Sequence, residues 1–342
     1  MTETNPYAYA KACGIIGRSF VGKRISSLAG LRNLNELDRL IFPDNFNKLP
    51  ASELLSDLER RIVERTLREI MVIANSFSSL PELVVRMLRV YEYNDLKACI
   101  QNIAAGKKEL PPLCDIGRFG TINFKAFPDL SAMLKNTEFE YLLFNELKTI
   151  DNNTDINSIE TIIDVLYYHG LINSLSQLSA EDRFMMQQML ASEISLHNCA
   201  WALRLRTYYH KRTDEIGSYM IDLKINGRTA KAASLAAEAL ESLDFHLDAR
   251  NHWEGWKWEK LLNSEMVTLH WTVNPRYFQN AAAWYLYKLA LKGFHRSPLS
   301  ISAIFCYIRL KQFEEDLLTS VAEGLALGLD STGVFEMLEG TP

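Results

Sequence analysis

Glycine and proline are scarce in this chain, 16 and 10 of 342 residues, below their ordinary usage of about 7% and 5%. Strand-and-turn folds spend these residues at every turn, so their scarcity favours helices. Cys-x-x-Cys pairs are absent. The five cysteines stand at 13, 99, 114, 199 and 306, several inside apolar helical stripes where a thiol acts as a small hydrophobe. This odd, scattered set predicts a reduced, cytosolic protein with no metal framework. Positive charge is not in excess: 37 Lys and Arg stand against 42 Asp and Glu, a net charge of -5, with pI near 5.9. That balance excludes wholesale nucleic-acid binding and a general electrostatic hold on anionic lipid. No apolar run approaches the ~20 residues of a membrane span; 281–291 and 297–308 are too short and read as core helices. Met1-Thr2-Glu3-Thr4-Asn5-Pro6 has no basic region followed by an apolar core, so no signal peptide is expected. Blocks of like charge and low-complexity segments are missing too.

What the chain does contain is size and repetition. Its 342 residues suffice for about two to three domains with sizeable cores. Hydrophobic residues at 48% and charged residues at 23% describe an ordinary soluble globular protein. One helical pattern occurs three times, roughly a domain apart: Glu92 to Ile103, Ser195 to Arg204, and Glu314 to Leu325. Each copy sets a polar or acidic residue three before a pivot, which is Asp95, Asn198 or Leu317. Apolar residues follow at steps of three and four: Leu96, Cys99, Ile100 and Ile103; Cys199, Ala202 and Leu203; Leu318, Val321, Ala322 and Leu325. Such steps form the buried stripe of an amphipathic helix. The recurrence predicts a helical domain copied twice rather than one active site.

Start and stop signals fill in an all-α fold. Residues 52–77 carry a stripe of Leu54, Leu55, Leu58, Ile62, Val63, Leu67, Ile70 and Met71. Ser79 to Glu82 and Thr137 to Glu140 have the form of capping boxes, in which hydroxyl and carboxylate each satisfy an orphan N–H. Ser179 to Asp182 is expected to open a helix reaching about Lys211. Residues 159–178 read as a helix ending or breaking near Gly170. Pro298 is expected to sit at the start of a helix running to about Gly324 or Gly328, and Pro275 to precede another, through Lys292, that stops before Gly293. Residues 111–127, with Pro111-Pro112, Gly117 and Gly120, read as an inter-domain linker, and Asn226-Gly227 as a turn. Alternating strand runs are not expected.

Three constellations bear on chemistry. Gly17 to Arg24 has the glycine and lysine spacing of a phosphate-binding loop, but Arg24 replaces the magnesium-binding hydroxyl. The residues before it, Tyr7 to Ala12, favour a helix where that loop requires a strand. Close-packing glycines on a helix are the competing and favoured reading. The histidines at 169, 197, 210, 246, 252, 270 and 295 include no His-Glu-x-x-His pair, and no serine or cysteine stands in a nucleophile context. Trp253, Trp256 and Trp258, behind His252, could stack on a ligand, but more often such a cluster anchors a core or an interface. No catalytic, cofactor or metal site is therefore assigned.

At this point a family resemblance appears. Tyr91-Glu92-x-x-Asp95-Leu96-Lys97 resembles the acidic-x-x-Asn-Leu-Lys helix in the first domain of the central-stalk component of V-type and A-type ATPases. That component is the C subunit of bacterial and archaeal enzymes and the d subunit of eukaryotic ones. Ile163-Asp164 with Tyr167-Tyr168 and Leu171, then Glu193 to Asn198, then Leu203-Arg204, is similar to the family's second domain. Pro298, Tyr307-Ile308, Glu314-x-x-Leu317-Leu318 and Gly324 echo its third. Ser195 stands where the family favours Asp, Glu92 where Asp is common, and Leu317 where Asn is usual.

The resemblance implies a non-catalytic rotor part without cofactor. Three similar helical domains, with approximate threefold symmetry, would form a funnel between the membrane proteolipid ring and the central shaft; they are expected over 1–120, 121–225 and 226–342. Its partners would be the shaft subunits and the ring of a rotary ATPase, with no nucleic acid and no membrane span. The protein would sit in the cytoplasm, peripheral on the inner face of the membrane. Exposed residues beside the repeated helices, Lys97, Arg204, Arg206 and Glu314, are the candidates for partner contact. A helical scaffold or adaptor is the alternative; solenoid repeats run roughly 34 to 47 residues, shorter than the spacing here. A helical enzyme is the other rival and would require a convergent polar pocket.

Overall fold

The computed structural model describes residues 6–47, 49–142, 155–226, 232–264, 270–330 and 333. It is all-α, built around six long helices: α3 (Ala51–Ala74), α4 (Glu82–Ala104), α6 (Ile156–Ser174), α7 (Ala180–Thr207), α10 (Pro275–Arg296) and α11 (Ile301–Ala326). Shorter helices are α1 (Pro6–Ile16), α2 (Leu34–Ile41), α5 (Leu130–Leu134), α8 (Thr213–Ile216) and α9 (Ala237–Ser242). Two three-residue strands, β1 (Lys224–Asn226) and β2 (Ala232–Ser234), pair antiparallel with Ile225 opposite Ala233. This small ribbon, flanking the Asn226-Gly227 turn, was not expected from the sequence. Gly227 lies outside the described residues.

Local chemistry sets most helix ends. Ser179 Oγ accepts from the Asp182 N–H at 3.2 Å and donates to that residue's carboxylate. Asn274 caps α10 through the Arg276 and Tyr277 N–H groups, with Pro275 at the first helical position. Ser300 caps α11, so that helix starts after Pro298 rather than at it. It ends in a Schellman turn: Gly328 has φ +80°, its N–H binds the Leu325 carbonyl, and the Leu329 N–H binds that of Gly324. Glu140 reaches the Asn136 N–H and Thr137 the Phe139 N–H, but residues 143–154 beyond them lie outside the described chain. The Ser79 to Glu82 box does not form: Pro81 occupies the cap position with no side-chain bond. α7 stops at Thr207, short of Lys211.

Two glycines with the look of helix breakers are points of close approach instead. α6 runs through Gly170, where a Cβ would stand 2.8 Å from Arg86 Nη1, and α10 runs through Gly293, where it would meet Cys306 Sγ at 2.6 Å. Helices pack there because a side chain is missing.

The buried residues form three clusters. The largest joins α1, α4 and α6 to parts of α3 and to the facing ends of α7, α10 and α11. The second joins the C-terminal half of α7 to α9, the N-terminal half of α10 and all of Trp253, Trp256 and Trp258. In the third, Phe20 to Ile62 pack against Leu317 to Leu325, so the beginning and end of the chain share a core. These cores cross the boundaries at 120 and 225 expected from the sequence. α4 packs on α6, α7 on α10, and α11 on both α10 and α3.

Candidate functional site

The repeated motif is a set of internal latches. Glu92, Ser195 and Glu314 are all buried, at 2%, 1% and 1% exposure. Glu92 Oε1 accepts from the Thr121 and Ile122 N–H groups at 2.5 and 2.6 Å, and Asp95 Oδ2 accepts from the Cys114 N–H at 2.8 Å. Residues 111–127 are therefore strapped onto α4, with Ile116 and Phe119 buried, rather than spanning as a free linker. In the second copy the Asn198 amide donates to the Ile221 and Leu235 carbonyls and accepts from the Ile221 N–H. Ser195 Oγ accepts from the Trp258 indole N–H at 2.9 Å and donates to Glu238. In the third, Glu314 Oε1 accepts from the Phe20 N–H at 2.7 Å. Each latch satisfies backbone or side-chain groups that would be costly to bury unpaired.

Glu314 is thus a core residue, not the exposed contact expected. It also pairs with Lys311, itself buried, and lies 3.6 Å from Arg65. Burial pushes its pKa up, but the charges of Lys311 and Arg65 outweigh that and hold it below the usual glutamate value. The Phe20 N–H belongs to the stretch 17–24, between Gly17 and Gly22, which follows helix α1 rather than a strand. Within that stretch Arg24 stacks on the Phe20 ring at 4.2 Å. A backbone amide that a phosphate would need is already engaged by the protein's own carboxylate.

The other three candidates are half-buried. Lys97 Nζ lies 2.6 Å from Asp164 Oδ1 and ties α4 to α6. Arg206 Nη1 donates to the Ser242 carbonyl at 3.1 Å, and burial draws its pKa down. Arg204 Nη1 is 3.5 Å from Gln279 Oε1, and its guanidinium sits 5.6 Å over the Trp201 ring. The tryptophan trio is core: Trp253, Trp256 and Trp258 are at most 6% exposed and each indole N–H has an acceptor.

A concave surface lies along α10 and α11. Three adjoining cavities of about 450, 500 and 310 Å³ share lining residues. Gln279, Asn280, Ser320 and Glu323 are common to the first two, and Ala283, Phe313, Glu315 and Asp316 to the last two. The structure brings only Arg204 of the four sequence candidates to this trough. Its walls carry an aromatic cluster, with the Phe313 ring 5.0 Å from Trp284 and 4.8 Å from Tyr287. They also carry Glu193, Glu315, Asp316 and Glu323. Glu193 is paired with Arg309 at 2.8 Å, and Tyr91 donates to Glu315 at 3.1 Å. Burial and the neighbouring Asp316 charge push the Glu315 carboxyl up to about 7, against bonds from Tyr91 and Thr66. Burial pushes Asp316 up to about 6, against the Arg309 charge.

Sequence reasoning missed Trp284, Tyr287, Phe313, Glu315 and Asp316. The available signal was the run of three consecutive acids, Glu314-Glu315-Asp316, set beside the apolar stripe of Leu317, Leu318 and Val321. Among the described residues, no group of three or more His, Cys, Asp or Glu side chains is placed to hold a metal ion. No described helix is long and apolar enough to cross a membrane.

Latches on three repeated helices thus border an aromatic and acidic trough. The family described as ATP synthase (C/AC39) subunit matches residues 22–334, and this chain belongs to it. A protein of Treponema pallidum (strain Nichols), described only as uncharacterized, is 26% identical over 326 residues, 94% of this chain and 92% of its own length. The A-type ATP synthase C subunit of Methanosarcina mazei is 23% identical over 270 residues, covering 75% of this chain and 69% of its own. That of Methanosarcina acetivorans is 24% identical over 212 residues, 62% of this chain and about half (54%) of its own.

Proposed function

We propose that this chain is a non-catalytic coupler in a V/A-type rotary ATPase, joining the central shaft to the membrane proteolipid ring on the cytoplasmic face. The observation that carries the reading is positional. Val90, Glu193 and Gln312 each stand five residues before a pivot, Asp95, Asn198 and Leu317, and all three line the 310 Å³ cavity. Asn94 and Asp316, each immediately before a pivot, line it too. Equivalent positions of three repeats converging on one cavity are what an approximate threefold axis through a funnel produces. The units would be α4 with α6, α7 with α10, and α11 with α3, the last closed by the two ends of the chain.

A torque-bearing part needs walls that resist shear, which close packing and buried latches supply. Its cavity should offer aromatic anchors to the shaft end, here Trp284, Tyr287 and Phe313. Arg204, at the mouth of the trough, is the contact candidate that this reading retains; Lys97, Arg206 and Glu314 hold the walls. The test combines the purified full chain with the purified shaft subunits from the same cells. We expect a stable complex on gel filtration. Arg204→Glu should melt within about 0.5 kcal/mol of the parent and bind the shaft at least tenfold more weakly, about 1.4 kcal/mol. Binding indistinguishable from the parent would remove Arg204 from the interface, and absence of any complex would contradict the coupler reading.

A further inference from the structure

We propose that the outer face of α10, with Lys288, Lys292, His295 and Arg296, is a docking surface for anionic lipid headgroups. The proposal rests on the coupler reading, which sets this chain beside a bilayer. α10 has two sides. Gln279, Ala283, Leu286, Tyr287 and Ala290, at helical spacing, line the trough. From residue 281 to the end of the helix the exposed positions are Tyr285, Lys288, Lys292, His295 and Arg296, also at helical spacing. With about 3.6 residues per turn the two sets lie on opposite sides of the helix, so the cationic face looks away from the cavity.

Its charge is not balanced from within. No Asp or Glu occurs between Glu265 and Glu314. Lys288, Lys292 and Arg296 follow one another at the i, i+4 interval, where like charges on a helix repel. None of the three has a hydrogen-bonding or ionic partner among the described residues. The last helical turn favours cations, which accounts for His295 and Arg296, but Lys288 and Lys292 lie before it. The carboxylates around the neighbouring Trp258 are already held, Glu238 by Lys257 and Glu259 by Arg250. Two exposed apolar side chains bound the stretch. Tyr285 is 37% exposed, its ring 5.4 Å from that of Trp258, and Leu299 in the turn to α11 is 48% exposed. A tyrosine and a leucine among lysines match the boundary between headgroups and acyl chains: the phenol ring settles there, lysine stems lie along the apolar layer and ammonium groups reach the phosphates. The net charge of -5 excludes a hold by the molecule at large, so the attraction is confined to this face. Each Lys or Arg close to such a surface contributes roughly fivefold in partition, and three on the order of a hundredfold. A contact of charge rather than shape lets a rotor slide over the lipids it touches.

The test is flotation of the purified full chain with vesicles of phosphatidylcholine, alone or with about 30% phosphatidylglycerol, in about 0.1 M and about 0.5 M NaCl. Binding is expected to the anionic vesicles, at the lower salt only. Lys288→Glu/Lys292→Glu/Arg296→Glu, checked for native fold by circular dichroism, should bind at least about thirtyfold more weakly. Lys288→Gln/Lys292→Gln, which only removes charge, should bind at least about tenfold more weakly. Lys107→Glu/Lys108→Glu, at exposed positions after α4, should bind like the parent. Equal binding to neutral vesicles, or none to anionic ones, would overturn the lipid face. So would a folded α10 variant that binds like the parent, or a loss in the Lys107/Lys108 variant as large as in the α10 variants. The vesicles carry no ATPase subunit, so these outcomes leave the coupler reading standing, and the shaft complex tests that reading separately.

Discussion

At the residue scale, the carboxylate of Glu314 joins three stretches of chain: Phe20 before the first latch, Arg65 on α3 and Lys311 one turn away. Glu314→Ala would leave the Phe20 N–H without its acceptor and a buried lysine with Glu69 as its remaining anion. The expected cost is about 3–5 kcal/mol, read as a fall in the urea midpoint with unchanged slope. A loss of only about 0.5 kcal/mol, the mark of a surface charge, would contradict the buried assignment. The sequence placed this glutamate in the right motif but on the wrong face. Charge alone suggests solvent, and its partners come from residues far away in the chain. Trp258 reads as core in the sequence, yet its bond to Ser195 is equally out of sight there, because 63 residues separate the two.

Among elements, the long helices were visible in the apolar stripes because period and caps act locally. Ser179, Asn274 and Ser300 mark starts for reasons confined to a few residues. Gly170 and Gly293 misled for the opposite reason: their role depends on Arg86 and Cys306 from other helices. Gly293→Ala should therefore destabilise by about 1–3 kcal/mol through overpacking of α10 on α11. Adding Cys306→Ala removes the atom in the way, and the double variant should recover at least about 0.5 kcal/mol relative to additivity. Additive losses in chemical denaturation would show that the two helices do not meet at that point. The 111–127 segment follows the same logic. Its prolines and glycines read as a linker, whereas the acceptors that fasten it, Glu92 and Asp95, stand a turn apart on α4.

For the whole molecule, three copies of one motif became three latched helices, and positions equivalent in the repeat meet at one cavity. The repeat was legible in sequence; the closing of the third core by both chain ends was not, since contact between Phe20 to Ile62 and Leu317 to Leu325 leaves no periodic trace. Membership of the ATP synthase (C/AC39) subunit family makes a rotary ATPase the natural setting for this architecture. Affinity purification of the tagged full chain from detergent-solubilised membranes tests that setting most directly. Recovery of the catalytic, shaft and proteolipid-ring subunits in a single complex, with the shaft cross-linking to residues of the α10–α11 trough, is the predicted result. Recovery of the chain alone, or with partners unrelated to a rotary ATPase, would contradict it.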